Sequence, residues 1–148
     1  MSRQSLLVSF VLLTFCVFTS NAQKNTWKVL SEVKYETKMD PTNKYEITFP
    51  SFSASIKKLE GQLISLKGYI IPLEATKDQD YFILSQLPFN LCYFCGGAGP
   101  ETIAEVYTTE PIDFTESMIT ITGTLELNAD DPEHMMYVLK DAALEYND

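Results

Sequence analysis

Between residues 118 and 127 the chain alternates without a break. Ile119, Ile121, Gly123, Leu125 and Leu127 fall in one row, and Thr120, Thr122, Thr124 and Glu126 fall in the other. Successive side chains of a strand point to opposite faces, so a period of two describes a half-buried strand with one apolar and one polar face. A helix does not accommodate the pattern, because its period of 3.6 would scatter the apolar row around the cylinder. One such strand is not stable alone; it needs neighbours that bury the same row.

The rest of the chain offers them. Residues 63–73 place Ile64, Leu66, Gly68 and Ile70 on one face and Ser65, Lys67 and Tyr69 on the other. Gly68 in mid-strand predicts a bend or bulge, and Pro72 predicts a strand end or an edge. Residues 81–84 read as a short apolar strand and 105–108 as a weak one. Residues 135–145 read as a strand carrying a bulge or as a short helix, with the strand favoured by its β-rich surroundings. Upstream, 45–49 alternate as a short strand ended by Pro50, after a turn cluster at 40–43. Residues 53–59 form the one convincing helical set, with Ser53 as N-cap, Ile56 and Leu59 three apart, and Gly61 as the stop. Residues 27–38 read as an extended segment with Trp27, Leu30, Val33 and Tyr35 as its apolar contacts. Five strands after a short helix, with glycines midway along the two longest, predict a mainly β fold. The expected architecture is a small, five-stranded, partly open barrel of the oligonucleotide/oligosaccharide-binding (OB) type with one short helix and an N-terminal extension. A small sandwich is the alternative.

Residues 1–22 stand apart from that domain. Arg3 is their only charge, and an apolar run follows from residue 6 to residue 18. That run is too short for a bilayer span but suits the core of a signal peptide. Ser20-Asn21-Ala22 supplies small residues where signal peptidase needs them, so cleavage is expected after Ala22, leaving one β-rich domain at 23–148. Leu13-Thr14-Phe15-Cys16 has the leucine and cysteine of a bacterial lipobox, but Phe15 is bulky and Cys16 lies inside the apolar run. A lipid anchor at Cys16 is therefore not expected, nor is a transmembrane anchor in the mature chain.

The mature part carries ten lysines, no arginine and all twenty carboxylates, a formal charge of −10. Such a surface repels phosphate backbones, so nucleic acid is not an expected partner.

Export removes Cys16 and leaves Cys92 and Cys95. They stand in Asn90-Leu91-Cys92-Tyr93-Phe94-Cys95-Gly96-Gly97-Ala98-Gly99-Pro100, where Gly96, Gly97 and Gly99 make a loop able to turn sharply. Three chemistries remain open. The thiols can form a small structural disulfide that pins the loop. They can supply two ligands to a zinc or copper ion, with His134, beside Asp130, Asp131 and Glu133, as an additional ligand. Or they can exchange with other disulfides, Cys92 attacking, although the helix N-terminus and positive charge that activate such a thiol are missing from the local sequence. A c-type haem would need histidine where Gly96 stands. The glycine run lacks the Lys-Ser/Thr of a phosphate loop, and one histidine makes no convincing triad, so neither a nucleotide nor a catalytic residue is expected.

Several of these segments recur together in small exported proteins of Bacteroidetes-type bacteria. They are Trp27 with Leu30, Leu59-Glu60-Gly61, Gly68-Tyr69-Ile70-Ile71-Pro72-Leu73, Phe82-Ile83-Leu84, and above all Cys92-Tyr93-Phe94-Cys95-Gly96-Gly97-Ala98-Gly99-Pro100-Glu101. With them the chain resembles the family called domain of unknown function 3299 over nearly its whole mature length. The resemblance implies export, a periplasmic or secreted location and a barrel-like fold. It implies no catalytic residues, and an association of some relatives with metal uptake and export is a pointer towards metal. The expectation is thus an exported binding or accessory domain whose partner is a small ligand, a metal or an envelope protein. The alternative is a periplasmic thiol–disulfide redox protein using Cys92 and Cys95.

Overall fold

The computed structural model describes residues 25–39, 44–73 and 78–145; the expected signal peptide at 1–22 and the turn cluster at 40–43 lie outside them. Among the described residues two short helices, α1 (Thr26–Leu30) and α2 (Ala54–Lys57), accompany seven strands. β1 (Lys34–Met39) and β2 (Glu46–Ser51) form a separate antiparallel pair. The other five are β3 (Leu63–Pro72), β4 (Asp78–Ser85), β5 (Ile103–Asp113), β6 (Ile119–Leu127) and β7 (Tyr137–Leu144). They close into a barrel in the order β3-β4-β5-β7-β6. No helix among the described residues is long and apolar enough to cross a membrane.

The alternating rows do what their period demands. Ile64, Leu66 and Ile70 of β3 and Ile121 and Leu125 of β6 are buried in one continuous core. β3 pairs with β6 over Leu63–Gly68 and with β4 over Tyr69–Pro72, so it changes partner at the expected glycine. A Cβ on Gly68 would lie 2.4 Å from the Ser85 carbonyl oxygen, which is why this corner takes no side chain. β7 is the strand with a bulge. Its register slips against both β5 and β6, and Asp141 carries the deviation at φ 49°. β7 runs parallel to β5 and antiparallel to β6, and by filling that gap it closes the barrel fully rather than partly.

The N-terminal segment differs from expectation. Trp27 and Leu30 are not in an extended stretch but on α1, three positions apart and buried. The Trp27 indole N–H donates to the Lys67 carbonyl at 2.7 Å, and the Tyr137 hydroxyl donates to the Leu30 carbonyl at 2.6 Å. A helical turn brings both apolar residues down on the barrel core, which an extended chain would split between two faces. Ser53 caps α2 as expected, its Oγ accepting from Ile56 N–H at 3.3 Å. The element that most exceeds expectation is β5, eleven residues long. Ile103, Ala104, Glu105 and Val106 are all buried, so the first part of this strand has no exposed face to reveal its period.

Those paired burials define a second, outer core. Ala104 and Val106 face the barrel interior with Phe82, Leu84 and Ile70. Ile103, Ile83 and Ile71, one position out of phase, instead pack with Cys92 on the outside of β3, β4 and β5. Met135, from the connection between β6 and β7, packs against the same cluster.

Candidate binding groove

The connection between β4 and β5 carries the cysteines. It folds as three consecutive 3₁₀ turns, Phe89–Leu91, Tyr93–Cys95 and Pro100–Thr102. Cys92 is fully buried in the outer core, while Cys95 is exposed. Their sulfurs lie 4.0 Å apart as two thiols. Cys95 N–H and Gly97 N–H both donate to the Cys92 carbonyl, at 3.1 and 3.2 Å, which winds the chain tightly around the first cysteine. Gly96 completes the turn at φ 75°, a left-handed conformation that favours glycine. A Cβ on Gly97 would sit 2.4 Å from the Leu91 carbonyl oxygen, so the next position also excludes a side chain. The Cys95 thiol is pushed up from its ordinary value, first by desolvation and then by its hydrogen bond with Cys92, though its exposure limits the effect.

His134 belongs to the connection between β6 and β7. Asn128 shapes this loop through its side chain. Its Nδ2 donates to the carbonyls of Asp131 at 2.7 Å and His134 at 3.1 Å, and its Oδ1 accepts from Asp131 N–H at 3.0 Å. The far end of the loop is held by Glu105, a carboxylate buried on the outer face of β5. Glu105 Oε1 accepts from Met135 N–H at 3.0 Å, and Oε2 lies 3.0 Å from His134 Nδ1. The imidazole is therefore turned to a carboxylate rather than gathered with Cys92 and Cys95. Among the described residues no three His, Cys, Asp or Glu side chains converge as metal ligands. The physical reason is local. Burying Glu105 without partners would be costly, and the loop supplies an N–H and a ring nitrogen to it.

What the structure does bring together is a groove of about 690 Å³. Tyr93 and Pro100 of the cysteine connection form one part of its wall, and β2 forms another from Ile47 to Pro50. Asn128, Asp130, Asp131, His134 and Met135 complete it from the β6–β7 loop, and Tyr35 of β1 also lines it. Tyr35 donates its hydroxyl to Glu101 Oε2 at 2.7 Å, tying β1 to the turn after the glycines. Burial first, and that hydrogen bond second, push the Tyr35 hydroxyl well above its ordinary value, so it remains a donor. Tyr93 stacks edge-on against the exposed Phe94 at 5.4 Å. The lining is thus aromatic and apolar, with Asp130 and Asp131 as its charged groups and no lysine.

Of the candidates Cys92, Cys95, Gly96, Gly97, Gly99 and His134, His134 lines the groove, while the cysteines and glycines do not; their connection reaches it through Tyr93 and Pro100. Glu105, Tyr35, Tyr93 and Asn128 are not among those candidates. An acid inside the apolar run Ile103-Ala104-Glu105-Val106 was a usable signal for the first. Asn128 followed by Asp130-Asp131-Pro132 was one for the last, since such residues build side-chain-capped turns. Tyr35 and Tyr93 had none, because their meeting depends on the packing of a hairpin against a remote loop.

No protein-family model matches this chain, and a search of curated proteins finds no match. Among solved structures, the chain is similar to the crystal structure of a domain of unknown function 3299 family protein from Pseudomonas aeruginosa PAO1. The two share 17% identity, the alignment covers 67% of this chain and 69% of that one, and the TM-score is 0.48.

Proposed function

We propose that this chain is an exported binding domain, not an enzyme, whose site is the groove between β2, the cysteine connection and the β6–β7 loop. The observation that carries the reading is convergence: the two features that stood out in the sequence, the cysteine–glycine turn and the His134 loop, both reach the wall of one groove. A concave, mainly apolar site with a few converging polar groups is what ligand binding requires, and barrel mouths are a frequent place for it. By fold-level analogy, barrels with this strand order use the last connecting loop in binding, here the loop between β6 and β7, and this loop lines the groove.

In this reading Cys92 and Cys95 form a disulfide after export. The two thiols give up two protons and two electrons to a disulfide oxidant of that compartment, and the sulfurs close from 4.0 Å to about 2.05 Å. The bond clasps the turn that holds Tyr93 in the groove wall. Redox exchange is the weaker reading. Attack by Cys92 is obstructed by its burial, and the accessible Cys95 has its thiol pushed up rather than down.

Two measurements test this. The intact mass of protein recovered from the exported fraction should correspond to a chain starting at Gln23 and lighter by two protons than its reduced form. A chain retaining residues 1–22, a reduced pair or a stoichiometric metal ion would overturn the export or clasp assignment. In a fragment screen followed by amide NMR, shifts should cluster at Tyr35, Ile47, Tyr93 and Asn128–His134. Hits mapping to another face would refute the groove.

A further inference from the structure

We propose that the groove takes an extended, basic peptide, laid as an added strand along the free edge of β2. The inference rests on the groove being the binding site, and it names the class of partner. Ile47, Thr48, Phe49 and Pro50 all line the groove. Consecutive strand residues point to opposite faces, so a wall built from four in a row is a strand edge and not a strand face. Among the described residues β2 pairs with β1 alone, so its other edge presents backbone C=O groups and, except at Pro50, which has none, N–H groups with no strand beside them. An edge of this kind is what an incoming extended segment pairs with, main-chain hydrogen bonds giving affinity and alternate side chains giving specificity. β2 has six residues, which span about 20 Å, room for a segment of similar length.

Charge decides which peptide. The wall that the β6–β7 loop contributes carries Asp130 and Asp131, no lysine lines the groove, and the one imidazole, His134, is paired with Glu105. A lysine or arginine side chain crossing from β2 towards that wall meets two carboxylates. Its methylene stem and charge can also lie against the rings of Tyr45 and Tyr93. An acidic segment would meet like charge on the groove wall and on a mature chain of formal charge −10. Complementarity and long-range steering therefore both select a basic partner.

The test is calorimetric titration of the full mature chain with an acetylated, amidated hexapeptide of alternating valine and lysine. Saturable one-to-one binding that weakens as salt is raised is the expected result. The valine–glutamate counterpart should not bind. Asp130→Asn combined with Asp131→Asn should weaken the basic peptide about tenfold with little change in melting temperature. The same two-charge change at Glu110→Gln and Glu116→Gln, which do not line the groove, should leave it unaltered. Equal weakening by both pairs would reduce the interaction to bulk charge and sink the proposal. Methylating alternate peptide nitrogens should abolish binding; retained affinity would mean that side chains alone are recognised and that no strand is added. If N-acetyl-lysine methylamide matches the hexapeptide, the ligand is a small cation and the peptide assignment is wrong. If the hexapeptide fails while fragment shifts still map to Tyr93 and Asn128–His134, the groove stands as the site and only the partner class falls.

Discussion

Glu105 is where the architecture of the groove can be broken with one substitution. Its carboxylate is buried on β5 and accepts from Met135 N–H and pairs with His134 Nδ1, each at 3.0 Å, with Tyr107 hydroxyl more distant at 3.4 Å. Glu105→Ala leaves the half-buried Met135 N–H without an acceptor, which costs about 1–3 kcal/mol, and removes a hydrogen bond to a charged acceptor, worth about 1.5 kcal/mol more. Relief of the desolvation of a buried carboxylate offsets part of this, and the exposure of His134 discounts its share. A net loss of about 2–4 kcal/mol follows, or roughly 6–20 °C in melting temperature for a domain of this size. Glu105→Gln keeps the shape and one carbonyl oxygen for Met135 N–H, so it should cost only about 1 kcal/mol. Urea unfolding followed by circular dichroism measures both, and a cycle combining Glu105→Gln with His134→Ala isolates the pair. Amide exchange should accelerate from Asn128 to Met136 in the alanine variant, because that loop loses its anchor. If glutamine costs as much as alanine, or neither variant costs anything, the carboxylate is not what holds the loop.

Three further outcomes follow from contacts elsewhere. Gly97→Ala places a Cβ 2.4 Å from the Leu91 carbonyl oxygen; the turn must shift, costing about 1–3 kcal/mol, and alkylation of reduced Cys92 should accelerate, whereas unchanged melting and labelling would show that the turn is loose. Tyr137→Phe removes the buried 2.6 Å hydrogen bond to the Leu30 carbonyl, and urea unfolding should show a loss of about 1–2 kcal/mol; no loss would mean that α1 is not docked through it. Glu145 is held below its ordinary value of 4.5 mainly by hydrogen bonds from Thr122 and then Ser65. Its stabilisation is therefore present above that value and disappears as the pH falls through the lowered folded value. In melting curves, the difference between the wild type and Glu145→Gln should be greatest near neutrality and shrink in acid; a difference that grows in acid would contradict the assignment.

Local periodicity reads well where a strand has one wet face and one dry one. β3 and β6 alternate in the sequence and in the structure, and Gly68 marks the corner where β3 changes partner. It reads poorly where both faces are covered, as in β5, whose outer face lies under the cysteine turn and the Met135 loop. Nor does a polar row mean an exposed one. Thr122 of β6 is half-buried and shares Glu145, just past the end of β7, with Ser65 of β3, an arrangement that no period can show.

By itself the sequence determined a mainly β chain, the short capped helix before the barrel strands, and a cysteine–glycine turn as its most distinctive chemistry, while the last segment stood open between a bulged strand and a short helix. Each rests on interactions between residues close in the chain: side-chain alternation, a serine reaching the N–H three positions on, glycines where the backbone must turn back. Only the tertiary structure decided that the barrel closes, that Cys92 is buried and Cys95 exposed, and that His134 answers to Glu105 rather than to the cysteines. It also decided that β2, Tyr93 and Asp130-Asp131 line one groove. These relations join residues far apart in sequence, and what fixes them is the burial of shared apolar surface and the need of a buried carboxylate for partners, neither of which has a period to read.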